Sequence, residues 1–404
     1  MLGLVDATTI AMNRNPGPPP PQAPSRSTPR LVGLDVARAL AVLGMFAAHT
    51  SSGTWLYTIS EGRAAALFAV LAGVSIALMS GGSQPSEGSR LRAARVRIAV
   101  RAVLLFLLGL ALGSLQVPAM VILSFYGVLF LLSFPLLRLR TTALAVTAAV
   151  FAVVAPQLSF VLRMGIDTKE MGYAPVFGDL ASADGLWNVL HGVLLTGAYP
   201  VLTWMPFLLV GMALGRLDLR AVRGRIIAIG ASLGVLGYGT SALAMNVFGG
   251  RAVLTAMLPP GLPPQLLDLV LSSSYGTVPT TSGAFLLTSG AHSGTSFEII
   301  GASGVAMAVI GLCLLGEQLR GLLTPLSSVG ALALTAYVGH LLVLKAFGAK
   351  ELSQVTSEHP YLPWLVLAAA TVLISSAWRK LLGRGPLEWA LHHASIAPAR
   401  LLSR

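Results

Sequence analysis

Charge is what this 404-residue sequence has least of: only 10% of its residues are Asp, Glu, Lys or Arg, against about 25% in a soluble domain. Hydrophobic residues make up 55% and the mean hydropathy is +0.78, a composition that belongs in a bilayer. Cysteine is almost missing. The one thiol, Cys313, lies in an apolar run, which excludes a disulfide within the chain and a thiolate metal site. No Gly-Lys-Ser/Thr phosphate loop, no His-Glu-x-x-His and no Gly-x-Ser-x-Gly elbow with a matching triad occurs. ATP-driven transport and metal-dependent hydrolysis are therefore without support. No internal repeat is evident, and with it goes the inverted-repeat signature of many transporters.

What is present is a series of apolar stretches, ten by inspection, near 34–52, 64–80, 98–115, 117–137, 142–162, 199–215, 225–247, 297–315, 326–345 and 362–378. A backbone in lipid must satisfy its own hydrogen bonds, so the expected fold is all-α, a polytopic transmembrane bundle of about ten spans. The net charge of +12 reads as the excess of Lys and Arg carried by cytoplasmic loops, not as a nucleic-acid surface. Arg90, Arg92, Arg95 and Arg97, then Arg216, Arg220, Arg223 and Arg225, then Arg379, Lys380 and Arg384 all fall on one side. That side also receives Arg14, Arg26, Arg30 and Arg404, which puts both termini in the cytoplasm of a multi-pass plasma-membrane protein. Lys169 falls on the other side.

Residues 1–30 are expected to be a disordered cytoplasmic tail, 31–380 the helical membrane domain, and 381–404 a cytoplasmic tail with a short amphipathic piece at Gly385–Leu391. Two outer segments are long, 163–198 and 248–296. They carry apolar pieces suited to interfacial or re-entrant helices over an outer cavity.

The first span keeps polar groups that a lipid-facing helix rejects. At ~100° per residue, Asp35, Arg38, Val42, Met45 and His49 share one ~80° stripe, with Asp35 and His49 about 21 Å apart along the axis. A charge at membrane depth costs roughly 2.5–3.5 kcal/mol unless it faces protein or water. The stripe is therefore expected to line a passage, with an ion pair at one end and an imidazole at the other.

The remaining polar groups leave alternatives open. His49, with Ser51 and with Glu61 and Arg63 across a short turn, offers a general base or a simple helix contact. Arg38 either only pairs with Asp35 or touches a phosphate. Arg97 and Arg101, one turn apart, are loop-side positive charge or a phosphate clamp. His191, Tyr199 and Trp204 are boundary aromatics or stack on a substrate ring. His292 precedes the eighth span, Glu298 can cap it, and His340 can bond a neighbouring helix.

Gly33-Leu-Asp-Val-Ala-Arg-Ala-Leu-Ala-Val-Leu-Gly-Met45, Gly62-Arg63 with Leu67–Ser75, Tyr199-Pro-Val-Leu-Thr-Trp204, Gly330–Tyr337 and Gly385-Pro-Leu-Glu-Trp389 together resemble the heparan-α-glucosaminide N-acetyltransferase-like and YeiB-like membrane proteins. The resemblance runs from about residue 31 to 392. It implies an acyltransferase that takes an acyl group, acetyl by analogy, from acyl-CoA at the cytoplasmic face. The acceptor would be a glycan or glycolipid on the outer side, and no metal would be needed. Where the animal enzyme has its proposed catalytic histidine, this chain has Ser60 beside Glu61. That leaves His49, Glu61 and His292 as candidate catalytic groups and Arg38, Arg97 and Arg101 for the donor phosphates. Asp35, Arg63, His191, Tyr199, Trp204, Glu298 and His340 remain for the substrate. The alternative reading is a transporter or flippase for a small solute or lipid, using the same polar stripe without covalent chemistry.

Overall fold

A computed structural model describes residues 31–166, 171–259, 261, 263 and 265–401. The expected N-terminal tail with Arg14, Arg26 and Arg30 lies outside the described residues, as do Lys169 and Arg404. The helices are α1 (Val32–Thr50), α2 (Trp55–Ser60), α3 (Arg63–Met79), α4 (Gly88–Ser114), α5 (Leu123–Leu132), α6 (Thr141–Leu162), α7 (Ala183–His191), α8 (Val201–Gly215) and α9 (Leu219–Asn246). They continue with α10 (Gly250–Ala256), α11 (Gln265–Ser272), α12 (Ser296–Leu315), α13 (Thr324–Ala331), α14 (Ala333–Phe347), α15 (Ala349–Glu358), α16 (Leu362–Leu381) and α17 (Pro386–Leu401). Among the described residues there is no strand, only the isolated bridges Tyr173–Gly197 and Ser273–Ala291. The fold is all-α.

Seven segments are long and apolar enough to cross a membrane: α1, α2 with α3, α4, α6, α9, α12 with the short turn after it, and α16. Helices α13 and α14 would make an eighth if taken as one span bent by 78°. The other two apolar stretches form the shorter helices α5 and α8. At a ~1.5 Å rise their 10 and 15 residues reach about 15 and 22 Å, less than a ~30 Å hydrocarbon core. Pro118 and Pro135 explain the first shortfall. The stretch 117–137 stays non-helical until Ile122 and ends in a 3-10 turn at Phe134–Arg138, because proline lacks the amide and clashes one turn back.

Small residues let the central helices approach closely, as membrane interfaces require. A Cβ on Gly211 of α8 would lie 1.9 Å from the Val70 carbonyl oxygen of α3, and one on Gly73 2.1 Å from that of Leu208. Gly230 and Gly237 of α9 lie against Gly304 and Gly301 of α12 in the same way. Arg216, at the end of α8, staples this core. Its guanidinium donates to the carbonyls of Ala77, Gly82 and Leu137 at 3.0, 2.9 and 2.6 Å and to Ser80 Oγ at 3.0 Å.

Two arrangements position the candidate site. Gly330 of α13 backs directly onto the Asp35 carbonyl, 1.7 Å from where a Cβ would stand. The helix then breaks at Leu332, and Glu388 of α17 accepts the freed amides of Leu334 and Thr335 at 2.7 and 3.1 Å and the Thr335 hydroxyl at 2.6 Å. A carboxylate at a helix N-terminus is also favoured by the dipole. The piece foreseen at 385–391 is thus part of a sixteen-residue helix, α17, packed along α4. At the opposite end of α1 the two long connections meet. Gly276 sits against Gly197 and Ala198, and Gly62, with φ of 69°, sits against Ala291 and His292.

Candidate functional site

The far end of α1 from Asp35 gathers three histidines from three separate segments. His49 Nδ1 lies 3.1 Å from His340 Nε2 of α14, with the two rings stacked at 5.3 Å. Phe46 and Tyr337 flank His340 at 4.6 and 5.3 Å. His292 lies under the edge of Tyr199 at 5.3 Å and parallel to Trp204 at 6.0 Å. Its backbone is left-handed, φ 56°, and its Nδ1 is buried without a partner. A buried, unpartnered nitrogen on a residue in that conformation is costly on both counts. His292 lies outside the spanning helices. Burial, and after it the neighbouring His49, hold its imidazole down at about 4, so it is neutral near pH 7. Among the described residues no three His, Cys, Asp or Glu side chains are placed to hold a metal ion.

His49 differs from its two companions in accessibility. Protein encloses it, yet its ring keeps some accessible surface, whereas His340 and His292 are 2% and 5% exposed. Its Nε2 makes no hydrogen bond to the described residues. The Nδ1 of His340 is buried without a hydrogen-bond partner. In one of the two tautomer arrangements His49 Nδ1–H donates to His340 Nε2, and the Nε2 of His49 is then an unpaired acceptor. One imidazole thus orients another, the general arrangement of an oriented base.

Glu298 and Arg63 stand beside this cluster. The Glu298 carboxylate accepts the Gly294 amide and faces Arg63, while its own amide donates to Thr295 Oγ1 at 3.2 Å. Arg63 lies over the Tyr238 ring at 4.8 Å and donates to the Thr58 carbonyl at 2.7 Å. Glu61 accepts from Tyr57 at 2.5 Å within α2 and its cap, and no contact joins it to His49. His191 is not brought to the cluster. It stacks on Trp187 of α7 at 6.3 Å and meets Thr196 Oγ1 at 3.4 Å.

At the other end of α1, Arg38 bonds Asp35 at 2.8 Å and Ser75 Oγ of α3 at 3.1 Å. Arg38 keeps 25% of its side-chain surface and Asp35 only 2%, so the cation is the reachable member of the pair. Between the two ends the expected stripe is packed shut at Val42, which has no accessible surface. The accessible line runs along α3 instead. Of residues 64–77 all are buried except Phe68, Ala72 and Ser75, which are half-buried, and their i, i+4, i+7 spacing places them on one face. That face looks inward: Ser75 meets Arg38, and Phe68 stacks on Tyr126 and Tyr337 at 5.8 and 6.3 Å. Tyr337 adjoins His340, so a polar-to-aromatic line of side chains runs from Arg38 to the histidine pair. Arg97 and Arg101 lie off this line, on the flank of α4 covered by α17, where Arg101 Nε donates to Ser395 Oγ at 3.5 Å.

Tyr337, Phe68 and Ser75 were not foreseen as site residues. Tyr337 could have been, because it stands one turn before His340 on a helix. Nothing in the pattern marks Phe68 or Ser75, since α3 is apolar on every face.

The fold and these polar clusters define a helical membrane protein with a buried imidazole pair. A family model described as "Protein of unknown function (DUF418)" matches residues 251–397, a match that fits a YeiB-like family. It takes in His292, Glu298, His340 and Glu388 and leaves out His49 and Arg38. No curated protein matches the chain.

Proposed function

We propose that the protein is an integral-membrane acyltransferase, similar to the heparan-α-glucosaminide N-acetyltransferase-like proteins, that moves an acyl group from acyl-CoA to a hydroxyl or amine of a glycan or glycolipid across the plasma membrane. The observation that carries this reading is His49, a base with one nitrogen bonded to His340 and the other free, at the head of a line of side chains that starts at Arg38. His49 Nε2 would take the proton of the acceptor as its oxygen or nitrogen attacks the thioester carbonyl. The carbon–sulfur bond then breaks, and the leaving thiolate takes that proton back from the imidazolium. A thioester is already activated, so positioning and a base carry most of the chemistry. Arg38 suits a phosphate or carbonyl of the donor near the basic face, and the Phe68–Tyr337 segment suits a slender pantetheine arm. His292, Tyr199 and Trp204 form the acceptor side, with Glu298 and Arg63 behind them.

The test is release of free CoA thiol from acetyl-CoA by the purified protein, with and without an amino sugar acceptor, in wild type and His49→Ala. Turnover in wild type that is lost in a folded His49→Ala protein is the expected result. Absence of both turnover and acyl-CoA binding in wild type would remove the reading. A lipid-handling reading draws on one other feature, an apolar cavity of about 380 Å³ between α6, α8, α9 and α12. CoA-independent lipid movement in proteoliposomes would favour it.

A further inference from the structure

Three arginines and a histidine gather where α17 lies along α4. Arg97 and Arg101 are one turn apart on α4, a helix with no acidic residue. Arg101 stands within electrostatic reach of Arg97 and of Arg384, which precedes α17. His392 of α17, one turn before the buried Ser395 that bonds Arg101, stands within reach of Arg384, Arg101 and Arg97, with His393 beside it. The Nε of Arg97 is buried with no hydrogen-bond partner. Among the described residues no carboxylate pairs with Arg97, Arg101 or Arg384. The one acid of α17, Glu388, is held by α14.

A loop-side excess of positive charge asks only that cations be on one side of the membrane. It does not ask that two helices nearly three hundred residues apart press like charges together with a buried guanidinium nitrogen unsatisfied. Such packing is unfavourable alone and favourable around an anion. Guanidinium forks match phosphate oxygens, and an imidazole that gains a proton beside a phosphate adds a further donor.

We propose that α4 and α17 form a phosphate-binding site from Arg97, Arg101, Arg384 and His392, with the C-terminal helix supplying half of it. Two sources share this chemistry: the phosphates of a nucleotide-bearing donor, and the headgroup phosphate of a lipid in the adjacent leaflet. The first occupant rests on the acyl-CoA reading above; the site itself does not.

The test uses the full-length protein in nanodiscs and two probes. One is adenosine 3′,5′-bisphosphate, followed by calorimetry. The other is phosphatidylglycerol against diacylglycerol, followed by native mass spectrometry. Arg384→Gln and His392→Gln alter exposed or half-buried side chains, and an unchanged melting temperature verifies their fold. Each is expected to weaken one probe about tenfold, the effect of one charge-assisted hydrogen bond. Loss of bisphosphate binding identifies a nucleotide occupant, and loss of phosphatidylglycerol retention identifies a lipid. The proposal is overturned if neither probe binds wild type, or if both bind the variants unchanged. Acetyl-CoA turnover in the same samples separates the two ideas. Phosphate binding with neither turnover nor acyl-CoA binding in wild type upholds this site and ends the acyltransfer reading, and turnover that ignores both variants, with no phosphate binding, does the reverse.

Discussion

The His49–His340 bond gives the most direct test of the site, because its worth and its asymmetry can both be worked out. Replacing either ring by Phe keeps the stacking with Phe46 and Tyr337 but removes one partner of a 3.1 Å hydrogen bond. A buried group left without its partner costs about 1–3 kcal/mol. The two single substitutions differ in what they orphan. His49→Phe strands His340, which is 2% exposed and beyond the reach of water. His340→Phe strands His49, which is half-buried and can recruit a water. His49→Phe should therefore be the more destabilising by about 1 kcal/mol. The double variant leaves nothing stranded. The coupling between the two sites should fall between ~0.6 kcal/mol, the mean for polar pairs in membrane helices, and the ~1.7 kcal/mol maximum. Reversible unfolding in mixed micelles at one fixed pH, on all four proteins, gives this number directly. Additivity to within about 0.3 kcal/mol, or the opposite order of the single variants, would refute the hydrogen-bonded pair.

Three further outcomes follow from other residues. Gly211→Ala places a Cβ 1.9 Å from the Val70 carbonyl oxygen, so α3 and α8 must part; overpacking of about 1–3 kcal/mol should exceed the ~1 kcal/mol gained in helix propensity, seen as a lower melting temperature. His292, held at about 4 instead of 6.5 by burial and by His49, makes the folded state bind fewer protons than the unfolded one between those pH values. Stability should therefore fall as pH drops from about 6.5 towards 4, by up to roughly 3 kcal/mol, and His292→Gln should flatten the curve; an equally steep curve in that variant would disprove the assignment. Glu388→Ala leaves two amides and a hydroxyl at the start of α14 without an acceptor and should cost about 1–3 kcal/mol, which Glu388→Gln recovers in large part.

The helices were legible in the sequence because each apolar run is bounded by basic or Gly/Pro-rich connections, and α1, α3, α6, α12 and α16 lie within a few residues of where hydropathy puts them. Hydropathy does not register geometry inside an apolar run. Pro118 and Pro135 shorten α5, and the close seat of Gly330 on Asp35 accompanies the break between α13 and α14, yet all three sit in stretches apolar enough to pass as whole spans. The polar ends of α1 were readable from periodicity, as the bonds of Arg38 and His49 bear out. The line joining them was not. Val42 and Met45 share the stripe of Arg38 and His49 but fill it, and the accessible face belongs to α3, whose Phe68, Ala72 and Ser75 carry no signal without the neighbours that leave them uncovered.

Two helices connect the ends of this site, and they are held differently. α1 is unbroken from Val32 to Thr50 and is tied along its length, by Glu317 at the Gly33 amide, by Arg38 at Ser75 Oγ of α3, and by Trp364, whose indole donates to the Leu43 carbonyl at 3.0 Å. α14 starts at a 78° bend, and its first amides are capped by Glu388 of α17. Thr335 and His340 are about one and a half turns apart, and between them the Tyr337 hydroxyl accepts the Ile122 amide at 3.3 Å. α17 is also the helix that carries His392 and follows Arg384. Of the two partners in the histidine bond, His49 sits on a helix tied to the bundle along its length, and His340 on one whose first amides are capped by the helix that lines the cationic cluster.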